Sequence, residues 1–157
     1  MGALGSGTGG SIRGPASLCG IVGLKPTYGR VSRSGVVTLS WSQDHVGPMT
    51  WTVEDTAYMM QALAGYDPKD PTTSTAPVPD YSLSLRKDIK GLTIGVPRHF
   101  SFAPHESVNR DALATVGKGL TVLEGLWSNL QEGPIPSLEY VRPATSVILL
   151  RVGLAHQ

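Results

Sequence analysis

A glycine-dense stretch from Gly5 to Gly35 restricts this chain more than any other feature. It reads G-S-G-T-G-G-S-I-R-G-P-A-S-L-C-G-I-V-G-L-K-P-T-Y-G-R-V-S-R-S-G. The opening Gly5-Ser6-Gly7-Thr8-Gly9-Gly10 permits backbone geometries that residues with a Cβ resist. Ser11 follows at once, and Ile12 to Cys19 reads as the first turns of a helix. Pro15 is tolerated there because first-turn N–H groups have no intrahelical partner. The pattern therefore predicts Ser11 at the junction of a flexible loop and the positive end of a helix. A hydroxyl at such a junction can be presented to a substrate, with the N–H groups of Thr8, Gly9, Gly10 and Ser11 aimed at developing negative charge. Serine is also among the best helix N-caps, so nucleophile and cap both stand at this point. The literal match of Gly5-x-Gly7-x-x-Gly10 to a dinucleotide fingerprint is accidental. That fingerprint needs a preceding strand and a downstream acid, whereas only Met1-Gly2-Ala3-Leu4 precedes it and Lys25, Arg30 and Arg33 follow. No Gly-Lys-Ser/Thr follows either, which removes a phosphate-cradling loop.

Several runs together resemble the amidase signature family. They are Gly9 to Gly20, then Gly23-Leu24-Lys25-Pro26-Thr27-Tyr28-Gly29-Arg30-Val31-Ser32, then Asp44-His45-Val46-Gly47-Pro48-Met49, and Ala64 to Pro71. A looser likeness continues to about Leu150. The resemblance implies that Ser11 is an acyl-accepting nucleophile within a Ser–cis-Ser–Lys triad that hydrolyses carboxylic amides, and in some members esters. It also implies an upstream segment carrying the lysine and the bridging serine. Neither is in this sequence, which reads as the middle of an amidase begun at an internal methionine. Gly7 stands where the family usually has aspartate, which implies a lost anchor and a freer loop. Within the family, the alternative is the amidase subunit of a tRNA-dependent amidotransferase.

Composition narrows the partners. With 157 residues, 40% hydrophobic and 16% charged, the chain is long enough for one hydrophobic core and reads as globular. A formal net charge of +1 argues against nucleic acid or an anionic membrane as an electrostatic partner. No apolar run approaches the roughly 18 residues of a spanning helix, and nothing resembles a signal peptide, so a cytoplasmic setting is the default. Cys19 is the single cysteine, which precludes an internal disulfide, and its place in the helix predicts a small buried hydrophobe. His99, His105 and His156 lack partners at metal-ligand spacing. No metal and no cofactor is expected.

Other residues near the loop carry two readings each. Arg13 is either a clamp for a substrate carboxylate or a group that holds the loop through its own partner. Lys25 could replace the family base only if burial or a cationic neighbour lowers its pKa, and Lys25-Pro26 reads as the entry to a turn. Asp44 and His45 invite a triad with Ser11. Adjacent residues project in different directions, however, so Asp44 is poorly placed to orient the imidazole. The resemblance instead makes the Asp44–His45 loop a lining or support of the acyl site.

Further along, Thr52-Val53-Glu54-Asp55 opens a capped helix with Val53, Ala57, Met60, Leu63 and Ala64 at helical spacing, ended by Gly65. Tyr66 to Ser84 reads as a surface loop from which Tyr81 and Leu83 tuck against the core. Gly91 to Pro97 predicts a short buried strand, and Ser107 to Leu126 a helix. Trp127 to Pro134 makes a poor strand, and a last helix follows Pro143. The expectation is one α/β domain over residues 1–157: a partial mixed sheet with packed helices, divided into a nucleophile core (1–65), a surface loop (66–90) and a strand-helix-helix portion (91–157). Its expected function is hydrolysis of a small-molecule amide or ester through Ser11. A catalytically silent scaffold is the reading from another class. Unpaired strand edges imply a homo-oligomer or a loosened core.

Overall fold

The computed structural model describes residues 1–86, 88–98, 109–126 and 128–154. His99, His105, Ser107, Val108, Trp127 and His156 lie outside these residues. The described residues group into two compact units, Met1–Arg86 together with Pro143–Gln157, and Lys87–Arg142.

Three strands build the sheet of the first unit. Strand β1 (Gly2–Gly7) pairs antiparallel with β3 (His45–Thr50), from Gly2 opposite Thr50 to Gly7 opposite His45, and β2 (Val22–Gly23) pairs with the other edge of β3. The glycine run therefore begins as strand. Gly5 and Gly7 serve packing there, because a Cβ on Gly5 would press against Met49 and one on Gly7 against Ile12. Ile12 is 1% exposed and lies across the strand. By sequence the run around Asp44 and His45 reads as a loop; its second half, His45–Thr50, is the central strand, even with Pro48 inside it. Proline removes a donor from a ladder, but β2 pairing has ended beyond Gly23, and there Leu24 N–H donates to the Pro48 carbonyl at 3.1 Å.

Helix α1 (Arg13–Leu18) returns the chain from β1 toward β2, with Ala16 buried against Gly23. It closes in a Schellman arrangement: Gly20 has φ +66°, Gly20 N–H donates to Ser17 O and Ile21 N–H to Ala16 O. Cys19 is the cap residue and is exposed, which corrects the expectation of a buried thiol.

Helix α2 (Val53–Leu63) starts where Thr52 predicts, its hydroxyl accepting from Asp55 N–H at 3.0 Å. Met60 packs with Val31 and Val46 in a buried cluster flanked by Leu63, Ala64 and Tyr81. Tyr81 reaches that core from a 3-10 turn (Tyr81–Arg86), but Leu83 stays 62% exposed, contrary to expectation. Arg30 holds the intervening loop, donating to Ala76 O, Pro77 O and the Tyr81 hydroxyl.

In the second unit, β4 (Thr93–Val96) pairs parallel with β5 (Asn129–Glu132), and α3 (Arg110–Gly125) is capped by Asn109. Strand β5 corrects the sequence reading. Asn129-Leu130-Gln131-Glu132 lacks apolar alternation, and its order comes from pairing with β4. Helix α4 spans Val141–Leu154. Among the described residues, no helix is long and apolar enough to cross a membrane.

Candidate functional site

Beyond Gly7 the chain leaves the sheet, bends through Thr8, Gly9 and Gly10, and enters α1 after Ser11 and Ile12. The burial of Ile12 fixes the far end of this bend. Ser11 sits just ahead of it, exposed, and its hydroxyl makes no hydrogen bond among the described residues. The cap position of α1 falls on Ile12 and has no side-chain cap bond. The N-cap reading of Ser11 is therefore not what the geometry shows. The N–H groups of Gly9, Gly10 and Ser11 likewise carry no hydrogen bond among the described residues. A hydroxyl and a set of unspent donors thus share one turn, the combination an acyl-transfer site needs.

Two hollows adjoin Ser11. One is a cavity of about 160 Å³ bordered by Ser6, Thr8, Ser11, Arg33, Val36, Val37, Leu39, Asp44 and His45. The other is a shallow crease with no room for a water molecule, formed by Gly9, Gly10, Ser11, Arg13 and Lys25. The fold thus gathers every residue singled out for the site around a single loop. Arg13 reaches back to donate to the Gly9 carbonyl at 3.2 Å, and holds the loop through that bond rather than through a carboxylate.

Asp44 does not orient His45. Its carboxylate accepts from the Thr8 hydroxyl at 2.6 Å and from the N–H groups of Leu39 and Ser40, both at 2.8 Å. The Nδ1 of His45 lies 2.6 Å from the Gln43 carbonyl oxygen, which can only accept, so Nδ1 carries the proton. Nε2 is then the acceptor for Lys25 Nζ at 3.2 Å, and Lys25 also donates to Pro26 O at 2.9 Å. Both ring nitrogens are spent on this arrangement. Burial, first, and the charges of Lys25 and Arg33 push the His45 pKa below its ordinary value of 6.5, against the opposing pull of the Gln43 bond and Asp44.

The sign of this shift sets a pH dependence. The folded state resists protonation of His45 more than the unfolded chain does, so its contribution is intact above 6.5 and is lost as pH falls through the depressed folded value. Thermal melts between about pH 7.5 and 5 should show wild type losing stability more steeply than His45→Gln on the acid side. Parallel curves would contradict the assignment.

Sequence reasoning missed Arg33. Its guanidinium donates to the Trp41 and Asp44 carbonyls, the Tyr28 hydroxyl and Thr72 Oγ1, faces Asp70 at 3.8 Å, and lies 4.9 Å from the Tyr28 ring centre. It supports the wall that carries Asp44. Its partners lie up to 39 positions away, so no local pattern could have signalled it. Among the described residues, no group of three His, Cys, Asp or Glu side chains could hold a metal ion.

The amidase family matches this chain over residues 1–156. The glutamyl-tRNA(Gln) amidotransferase A subunit of Moorella thermoacetica is 49% identical over 142 residues, 90% of this chain and 28% of that protein. The protein of the same name from Geobacillus stearothermophilus is 51% identical over 138 residues, 88% and 28%. Among solved structures, the glutamyl-tRNA(Gln) amidotransferase A subunit of Thermotoga maritima superposes with a TM-score of 0.91 at 37% identity, covering 99% of this chain and 33% of that one. The peptide amidase of Stenotrophomonas maltophilia superposes at 0.82 with 33% identity, covering 98% and 31%. The chain spans about a third or less of the length of each.

Proposed function

The chain belongs to the amidase signature family and has its mixed α/β fold, and from that premise we propose that Ser11 is the acyl-accepting nucleophile of an amide-cleaving site. The observation that carries this is the exposed, unbonded Ser11 hydroxyl beside the unspent N–H groups of Gly9 and Gly10. Oγ of Ser11 attacks the amide carbonyl carbon, and the loop N–H groups receive the negative oxygen of the tetrahedral species. The C–N bond then breaks, the nitrogen leaves protonated as ammonia or an amine, and the acyl group stays as an ester on Ser11. Water hydrolyses that ester. An ester substrate follows the same course with an alcohol leaving. Within this chain the proton released by Ser11 goes to solvent, since both nitrogens of His45 are already engaged. The family resemblance implies a serine–lysine pair as the base, so the test uses a fluorophosphonate, which a weakly activated serine can still attack.

Identity near 50% to proteins named as the A subunit of glutamyl-tRNA(Gln) amidotransferase, against 33% to a peptide amidase, supports the amidotransferase alternative over a free-standing hydrolase. In this reading the released nitrogen is passed to an acceptor within an assembly. Contact with the tRNA then falls to other parts of that assembly, because 13 Lys and Arg against 12 Asp and Glu give this chain no electrostatic claim on a polyanion. The direct test is labelling by a fluorophosphonate, with the adduct mapped by mass spectrometry. An adduct on Ser11 is expected, and a folded chain that stays unlabelled supports the silent scaffold.

Gly10→Ala extends the test to the loop. Gly10 is not in the left-handed region, and a Cβ there meets nothing within 4 Å. The melting temperature should therefore hold. The added methyl stands next to Ser11 and the unspent loop N–H groups, so labelling should slow by about tenfold or more. An unchanged rate would remove the loop from the reaction.

A further inference from the structure

We propose that Asp44 is the positioning residue of this site: its carboxylate ties the glycine loop, through Thr8, to the Leu39–Ser40 wall of the cavity, and so sets the distance between Ser11 and that wall. The proposal rests on the reading of Ser11 as nucleophile. Asp44 is 8% exposed, and its two oxygens divide the work. Oδ1 takes the Thr8 hydroxyl at 2.6 Å, while Oδ2 takes the N–H groups of Leu39 and Ser40 at 2.8 Å each. An ionised carboxylate only accepts, and such charge-assisted bonds are the short, strong ones. One side chain thus spans 36 positions to join the two sides of the cavity.

The tie matters because the loop's other bonds, Arg13 to the Gly9 carbonyl and Gly14 N–H to the Gly10 carbonyl, come from its own helix, whereas the Thr8 bond fixes it to the far side of the cavity. Pairing of β1 with β3 stops at Gly7, and Ile12 is the next buried anchor. Between them, Gly9 and Gly10 have open space where a side chain would be. The sequence suggests a loop freed by the glycine at position 7. In the fold, an anchor comes from across the cavity instead. Three donors also disperse the Asp44 charge, and Arg33 donates to its backbone carbonyl at 3.4 Å, so the carboxylate opposes an oxyanion on Ser11 less than a bare one would.

The test separates position from mere stability. Asp44→Ala strips three donors of their acceptor and destabilises the fold, so the Thr8 pair carries it. Thr8→Val keeps shape and backbone but deletes the hydroxyl; Thr8→Ser restores it. In the 157-residue chain, Thr8→Val should slow fluorophosphonate labelling of Ser11 by about tenfold. Amide hydrogen exchange over Gly9–Ser11 should quicken by at least about fivefold. Thr8→Ser should recover more than half of each loss. Wild-type labelling and wild-type exchange in Thr8→Val would overturn the proposal, as would slowed labelling with unchanged exchange. If the wild type is not labelled but Thr8→Val still loosens the loop, the tie stands and the nucleophile reading alone fails.

Discussion

Ser11→Ala abolishes fluorophosphonate labelling and leaves the melting transition where it was. Both halves follow from the same geometry. The hydroxyl is exposed and makes no hydrogen bond among the described residues, so its deletion removes no intramolecular bond among them. It does not cap α1, whose cap position is Ile12. A capping serine would cost about 1 kcal/mol on replacement, roughly 2–4 °C in a chain of this size, and that loss is not expected here. Chemistry is the other half. Removing a nucleophile takes away the atom that forms the covalent bond, and the nearest polar side chains on the loop and the opposite wall are already engaged. His45 is engaged at both nitrogens and Thr8 donates to Asp44. The labelling rate should fall by at least about a thousandfold. Labelling that persists at the wild-type rate would place the reactive group elsewhere. A melting temperature lowered by the cap cost would revive the N-cap reading of this serine.

The nucleophile loop was legible because its chemistry is local. Glycines, a serine and a helix start lie within a few residues, and steric freedom at Gly9 and Gly10 is a property of the residue type. The start of α2 was legible for the same reason, since Thr52 caps a residue three positions on. What could not be read is whatever depends on a distant partner. Gly47-Pro48 looks like punctuation in sequence and becomes the middle of β3 because β1 and β2 flank it. Glycines at positions 5 and 7 suggest flexibility, and in the fold they make room for Met49 and Ile12. The role of Asp44 depends on Thr8, and that of Arg33 on Asp70 and Thr72, all more than 30 positions away. Tyr81 and Leu83 were equivalent by composition. Only Tyr81 has Arg30 and Gln61 to meet its hydroxyl and its backbone N–H.

Gly47→Ala should do the reverse of Ser11→Ala, damaging the fold first and the chemistry through it. Gly47 is buried at the middle of β3, opposite Gly5. A Cβ there collides with the carbonyl oxygen of Leu24, stands 2.9 Å from Pro26 Cδ and 3.2 Å from Ile12 Cδ1. The first two obstacles are backbone and ring, which cannot rotate aside, so the segment leaving β2 has to move. Overpacking of this kind costs typically 1–3 kcal/mol, and a backbone obstacle puts the cost at about 3 kcal/mol or more. The melting temperature should drop by roughly 6–12 °C or more. Ile12 transmits the disturbance to its neighbour Ser11, and Lys25, between the two displaced residues, holds His45. Ser11 labelling should therefore slow together with the loss of stability, whereas Gly10→Ala slows labelling alone. A Gly47→Ala protein that melts with wild type would mean that the Leu24–Pro26 segment yields freely, and would release the central strand from its tight contact with the turn that carries Lys25.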